Sequence, residues 1–242
     1  MKTVVSPAKT MIENTDCYIG SSVPTYIDKS KILLEEIRQR SYEELKEIWK
    51  CNEKIAKENF DRFTNMNLQG SLTPAIFSYQ GIQYQYMAVN VMEATAIEYI
   101  KENLYILSGF FGILRAFDGV SPYRLEMQEK MEIGKHKNLY EFWGDKIYKK
   151  LFETGEVVIN LASKEYSKLI HSDKLIDFEF WEDSNGKLKQ VSTNSKKMRG
   201  FTLNYIVKNK ISDVKKLRNI TLNGYVFDEE MSDERKFVYV KG

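Results

Sequence analysis

Two rhythms of apolar and polar residues alternate along this chain. The first three apolar-leaning positions, Thr3-Val4-Val5, form a run stopped at Pro7 and predict a short strand. Over residues 28–63 the spacing turns helical. Ile32, Leu33 and Ile37 share one face, and Leu45, Ile48 and Trp49 share another. Ser41 stands three residues before Glu44, the pattern of a capping box that opens a second helix. A third helix is expected to open at residues 52–56. Residues 71–74 read as loop, 75–79 as a buried strand ending at Gly81, 92–103 as helix and 105–107 as strand. Residues 139–152 read as one strong helix, 157–161 as a buried strand and 165–170 as a short helix. Residues 175–181 and 187–192 alternate on either side of Asn185-Gly186, which predicts a hairpin. A basic helix over 195–209, capped by Asn194 or Ser195, a short helix over 213–217 and strands at 225–227 and 237–239 complete the chain.

Strands and helices intermix throughout, with no repeat and no low-complexity linker. The prediction is one α/β (mixed α+β) domain over residues 1–242, a mixed sheet surrounded by helices.

Composition narrows the class. The 242 residues are 43% hydrophobic and 29% charged, with 15 Tyr and 13 Phe, which favours a folded soluble protein over a disordered one. No apolar run approaches the roughly 20 residues that span a bilayer, and residues 1–7 lack the pattern of a signal peptide. Cys17 and Cys51 are far apart and form no CxxC, so both are read as structural in a reducing cytoplasm. His136 and His171 stand alone, without metal-ligand spacing; neither a metal nor another cofactor is expected.

The charge is unevenly spread. Residues 187–218 hold ten Lys or Arg against the single acid Asp213, a balance of +9 that leaves −7 for the rest of a +2 chain. Such asymmetry suits an acidic partner; the plain alternative is a solvated lysine-rich face. Lys196, Lys197 and Arg199 are expected in the first turns of the basic helix, where free amides and cations together attract phosphate.

Candidate chemistry gathers elsewhere too. Ser6-Pro7-Ala8-Lys9 follows the first strand, with SxxK spacing but none of the partner motifs of serine acylases. Lys9 on a strand-end loop can meet a phosphate, or be an ordinary surface lysine. The densest stretch is LSGFFGILRAFDGVSPYRLEMQ, residues 107–128. It carries Gly109 and Gly112, then Arg115, Asp118, Arg124 and Glu126. Either it builds a site for an anion, with Asp118 and Glu126 orienting the arginines, or its charges satisfy one another as buried pairs. Asp145, after Gly144 in LYEFWGD, is a candidate partner for a site arginine or a surface acid.

Taken together, SPAKT, the 107–127 run, LYEFWGD, VVINLASKEY, KKMRG and GYVFDE occur in one order across nearly the whole chain. In this the chain resembles the bacterial peroxide stress protein YaaA family. The resemblance implies a cytoplasmic protein of the oxidative stress response, linked to intracellular iron. It also implies DNA binding, to duplex or to distorted or single-stranded DNA, through a positively charged cleft helped by a helix-hairpin-helix-like element, in a chain expected to be monomeric. No established catalytic activity comes with it. The DNA-contact set expected here is Lys9, Gly109, Gly112, Arg115, Arg124, Lys196, Lys197 and Arg199, with Ser6, Asp118, Glu126 and Asp145 in support. Gly109 and Gly112 would form the hairpin, with residues 54–63 as the competing place for it. Ile82 and Ala116 depart from the family pattern, standing where an Asp and a Pro are usual. The rival function is an enzyme acting on a phosphorylated small molecule or on nucleic acid through the strand-end Ser, Lys, Arg and Asp residues.

Overall fold

Five strands lie side by side and parallel, and they decide where the rest of the chain goes. In the computed structural model, which describes residues 1–14, 19–69 and 72–242, the main sheet contains nine strands. They are β1 (Lys2–Val5), β2 (Leu104–Ser108), β3 (Gly112–Arg115), β4 (Val158–Leu161), β5 (Leu175–Ser184), β6 (Lys187–Lys189), β7 (Thr221–Leu222), β8 (Tyr225–Phe227) and β9 (Lys236–Lys241). Their order is β7-β8-β9-β5-β4-β1-β2-β3, with β6 folded back on β5. The run β9-β5-β4-β1-β2 is parallel; β3 closes one edge antiparallel, and β8 and β7 close the other. β1, β2 and β4 are buried at every position, the signature of strands covered on both faces.

The chain is thus a mixed α/β protein, as its pattern predicts. Helices α1 (Ile27–Arg38), α2 (Tyr42–Trp49) and α3 (Glu53–Asn65) fall within the region read as helical. The capping box at α2 is complete: Ser41 Oγ accepts from Glu44 N, and Glu44 returns the bond to the Ser41 N–H at 2.8 Å. Asn185 and Gly186 both take positive φ, 57° and 77°, as a two-residue hairpin of this hand requires.

Three local readings change. Residues 75–79, read as a strand, form the single helical turn α4 (Ala75–Ser78), flanked by two-residue strands at Thr73–Pro74 and Tyr79–Gln80. A short apolar run carries no reliable period, and here burial came without a ladder partner long enough for a strand. Next come α5 (Ile82–Met87) and α6 (Ala94–Asn103). The single helix expected over 139–152 is two, α7 (Leu139–Trp143) and α8 (Lys146–Leu151), broken where Gly144 adopts φ +52°. After α9 (Lys164–Ser167), the basic helix α10 (Ser192–Lys208) starts before its expected caps. Asn194 is inside it and donates to Glu182 instead. Cys17 and Ser71 lie outside the described residues. Among the described residues no helix is long and apolar enough to cross a membrane.

Candidate functional site

The carboxyl ends of β1 and β4 open into a pocket of about 290 Å³. Ligands of open parallel sheets favour this edge, because loops leaving adjacent strands diverge there and leave a crevice. The loop after β1 supplies Ser6 to Thr10, the loop after β4 supplies Ser163 and Glu165, and residues 80–84 and 123–126 form further walls. Lys196 and Arg199 reach in from α10.

Hydrogen bonds fix this frame. Ser6 Oγ accepts from the Ser163 N–H at 2.8 Å and donates to Ser163 Oγ at 3.2 Å, joining the two strand-end loops. Tyr84 donates its hydroxyl to the Ser6 carbonyl, and Gln83 donates to the Leu161 carbonyl, pinning α5 over the strand ends. α10 crosses α5 closely at Gly200, where a Cβ would come within 2.4 Å of the Gln83 carbonyl oxygen. Only glycine permits that approach, and it sets the height of Arg199 one residue earlier.

Two charged groups stand within this frame. On one side Glu126 receives Lys9 Nζ at 2.9 Å and Arg124 Nη2 at 2.8 Å. Both Arg124 and Glu126 keep under 15% of their side chains exposed, while Lys9 is largely open to solvent. Glu165 is half-buried nearby, and burial followed by the charge of Glu126 lifts its carboxyl above the ordinary range. On the other side stand Lys196 and Arg199. Neither side chain makes a hydrogen bond or ion pair with any described residue, and Arg199 Nε is buried without a partner. Burial lowers the Arg199 guanidinium from its ordinary value; Asp177 and Glu179 oppose the shift from beyond ion-pair distance. The floor between is aromatic, with Tyr84, Tyr123 and Tyr166. Tyr123 belongs to a buried hydroxyl chain with Ser108 at 2.5 Å and Tyr79 at 2.7 Å, and burial raises it to about 12.

Of the residues singled out from the sequence, Ser6, Lys9, Arg124, Glu126, Lys196 and Arg199 therefore line one pocket. The others do not. The 107–128 stretch folds as the β2–β3 hairpin and its continuation, not as a helix-hairpin-helix. Gly109 and Gly112 are buried: a Cβ at Gly109 would meet the Leu125 carbonyl at 2.3 Å, and one at Gly112 would meet the Trp143 ring at 2.7 Å. Their amides are thus closed to a phosphate. The rival place for the hairpin, residues 54–63, lies within the single helix α3, joined to α2 through Lys50, Cys51 and Asn52 without a glycine. Arg115 stands beside Tyr105, Lys2 and Glu153, toward the amino end of β1 and away from the pocket. Asp118 accepts from Ser22 Oγ at 2.6 Å and from the Arg115 N–H at 2.8 Å, a buried knot. Asp145 pairs with Lys149 on the surface, not with a site arginine. Lys197 lies 5.8 Å from the Tyr86 ring centroid, outside the pocket lining. It, Lys196 and Arg199 occupy the second turn of α10, past its free amides, because the helix begins at Ser192.

The sequence also left pocket residues unnamed. Glu165 sits in VVINLASKEY without any spacing that marks it. The three tyrosines are scattered over more than 80 residues, and only folding collects them.

The family described as peroxide stress protein YaaA matches residues 1–231 of this chain. Among curated relatives, a UPF0246 protein of Ligilactobacillus salivarius is 46% identical over 246 residues, covering all of both chains. UPF0246 proteins of Agathobacter rectalis and Lachnoclostridium phytofermentans are 45% and 46% identical, over 99% and 100% of this chain and 98% and 97% of theirs. The chain belongs to the peroxide stress protein YaaA family.

Proposed function

We propose that this member of the peroxide stress protein YaaA family acts in the peroxide stress response by binding DNA without sequence preference. Family membership supports the stress role. The observation that carries the DNA reading is the pair of unpartnered cations, Lys196 and Arg199, at the rim of a cleft on the carboxyl edge of the sheet. Along the chain they follow the exposed Lys187 and Lys189 of the β5–β6 hairpin and stand beside Lys197. The remaining cations of the basic segment start at Lys208, the far end of a 17-residue helix roughly 26 Å long, so the surface that counts is the hairpin end. Phosphate contacts would supply most of the affinity and no sequence information. Limiting iron-driven damage would follow from occupying the DNA, not from holding iron.

Fluorescence anisotropy across a salt series tests this. Duplex binding should weaken steeply with salt, at roughly −0.9 in log K per phosphate contact. Lys196→Glu with Lys197→Glu should weaken all sequences alike, by about tenfold or more. Unchanged affinity in that double variant would remove the cleft from the reading.

The gathering of Ser6, Lys9, Arg124, Glu126 and Arg199 around one pocket favours a second reading, an enzyme acting on a phosphorylated small molecule or nucleic acid. Ser6 would not be its nucleophile: its hydroxyl is committed to Ser163, and Lys9 is drawn to Glu126 rather than to Ser6. Turnover in a panel of labelled nucleic acids and nucleotides would establish that reading.

A further inference from the structure

We infer that the pocket at the carboxyl ends of β1 and β4 takes a single nucleoside phosphate, its phosphate on Arg199 and Lys196 and its base edge on the Glu126–Glu165 side. The inference rests on the reading of this edge as a nucleic-acid surface, and it assigns the pocket a ligand of its own.

Four features converge. First, Arg199 is half-buried, points its Nε into protein without a partner, and has no ion pair among the described residues. A buried guanidinium is costly when unpaired, and its fork matches two oxygens of a phosphate. Second, the carboxylates form a separate group. Glu126 pairs with Lys9 and Arg124, and neither Glu126 nor Glu165 comes within ion-pair distance of Arg199 or Lys196. A ligand that reaches both groups would offer an anion at one end and hydrogen-bond donors at the other. The exocyclic amine and ring N–H groups of bases are such donors. Third, Glu126 is held by two cations, so its carboxylate is pre-oriented rather than searching. Fourth, Tyr84, Tyr123, Tyr166 and Ile82 line the space between, a wall suited to a planar ring.

The volume, about 290 Å³, sits at the lower end of the ~300–1,000 Å³ range of small-molecule sites. It suits one nucleotide. The nucleotide can arrive in two ways: free, or as an unpaired residue turned out of a strand, which costs least where pairing is already lost.

The test combines calorimetry with the deoxynucleoside 5′-monophosphates, with nucleosides and with inorganic phosphate, and anisotropy on perfect duplex and on duplex carrying one bulged nucleotide. Wild-type protein should bind a monophosphate at least tenfold better than phosphate or the bare nucleoside, or prefer the bulged duplex at least tenfold. The first result marks a free ligand, the second a strand-borne one, and either supports the pocket. Ile82→Trp, which fills the pocket from a half-exposed position, should abolish whichever is seen. Arg199→Met, which keeps the aliphatic stem and removes the charge, should abolish it as well, so the inference does not hang on one variant folding. Lys187→Glu with Lys189→Glu should do the reverse, weakening perfect duplex and sparing the monophosphate. If perfect duplex binds but neither monophosphate nor bulge is preferred, the pocket assignment falls and the DNA reading stands. If monophosphate binds and no DNA does, the DNA reading falls and the pocket stands. Binding of phosphate alone as tightly as the nucleotide would overturn the nucleoside part.

Discussion

Asp118 and Arg199 are both charged groups turned inward, and they sit in opposite circumstances. Asp118 is 1% exposed and spends its carboxylate on Ser22 and the Arg115 amide, closing the turn after β3. Arg199 has no partner at all among the described residues, and its neighbours leave a cavity in front of it. The first arrangement is complete without a ligand and the second is not. Charges that close on themselves hold a fold together, while a charge kept half-buried and open costs stability that selection tolerates where function needs it.

The sharpest way to break this contrast is to open the closed knot. Asp118→Ala removes the buried carboxylate that receives both the Arg115 amide and the Ser22 hydroxyl, so stability should fall by about 3 kcal/mol in urea titrations. Binding to DNA measured on the remaining folded protein should be unaffected. A loss below about 1 kcal/mol would mean that the turn does not depend on the knot.

Glu129 sharpens the comparison, because it is a buried acid that neither pairs nor lines the pocket. Both its carboxylate oxygens lack hydrogen-bond partners, and burial, helped by Glu126, raises it to about 9. Its pKa is higher folded than unfolded, so the folded state holds the extra proton across the interval between the two. Stability should therefore be greatest below the unfolded value and decline as pH rises toward about 9. Between pH 6 and 8 the decline from this group should come to about 3 kcal/mol, and Glu129→Gln should flatten it. An unchanged pH profile in that variant would show that another group carries the slope.

The smallest effect should come from the open charge itself. Arg199→Met should raise stability by about 1 kcal/mol, since it removes a half-buried, unpaired cation and keeps its packing. The same variant should lose anion binding. Destabilisation would mean that the guanidinium is structural after all, and the contrast with Asp118 would collapse.

Much of this molecule was legible in the sequence. Where a local rule acts over three or four residues, the reading is direct: the Ser41–Glu44 box caps α2, and Asn185-Gly186 turns β5 into β6. Four of the site residues, Ser6, Lys9, Lys196 and Arg199, were found because they follow a strand or stand on a basic helix. The misreadings cluster where neighbours in sequence part company in space. Arg115 and Arg124 are nine residues apart, yet β3 carries the first toward the amino end of β1, and the chain beyond returns the second to the carboxyl end. Gly109 and Gly112 looked like a ligand-binding turn because glycine permits close approach, and the sequence does not say of what; the approaching groups are Leu125 and Trp143. Gly144 looked tolerable inside a helix until its positive φ ended one.

The sequence by itself determined the mixed α/β class, the order of elements that the structure largely keeps, the hairpin and the uneven charge, because these follow from periodicity, turn chemistry and counting. Only the tertiary structure decided which charges are closed and which are open. Pairing is a property of distance, and distance between Lys9 and Glu126, or between Arg199 and any acid, is set by how β1, β4 and α10 pack, not by their separation along the chain.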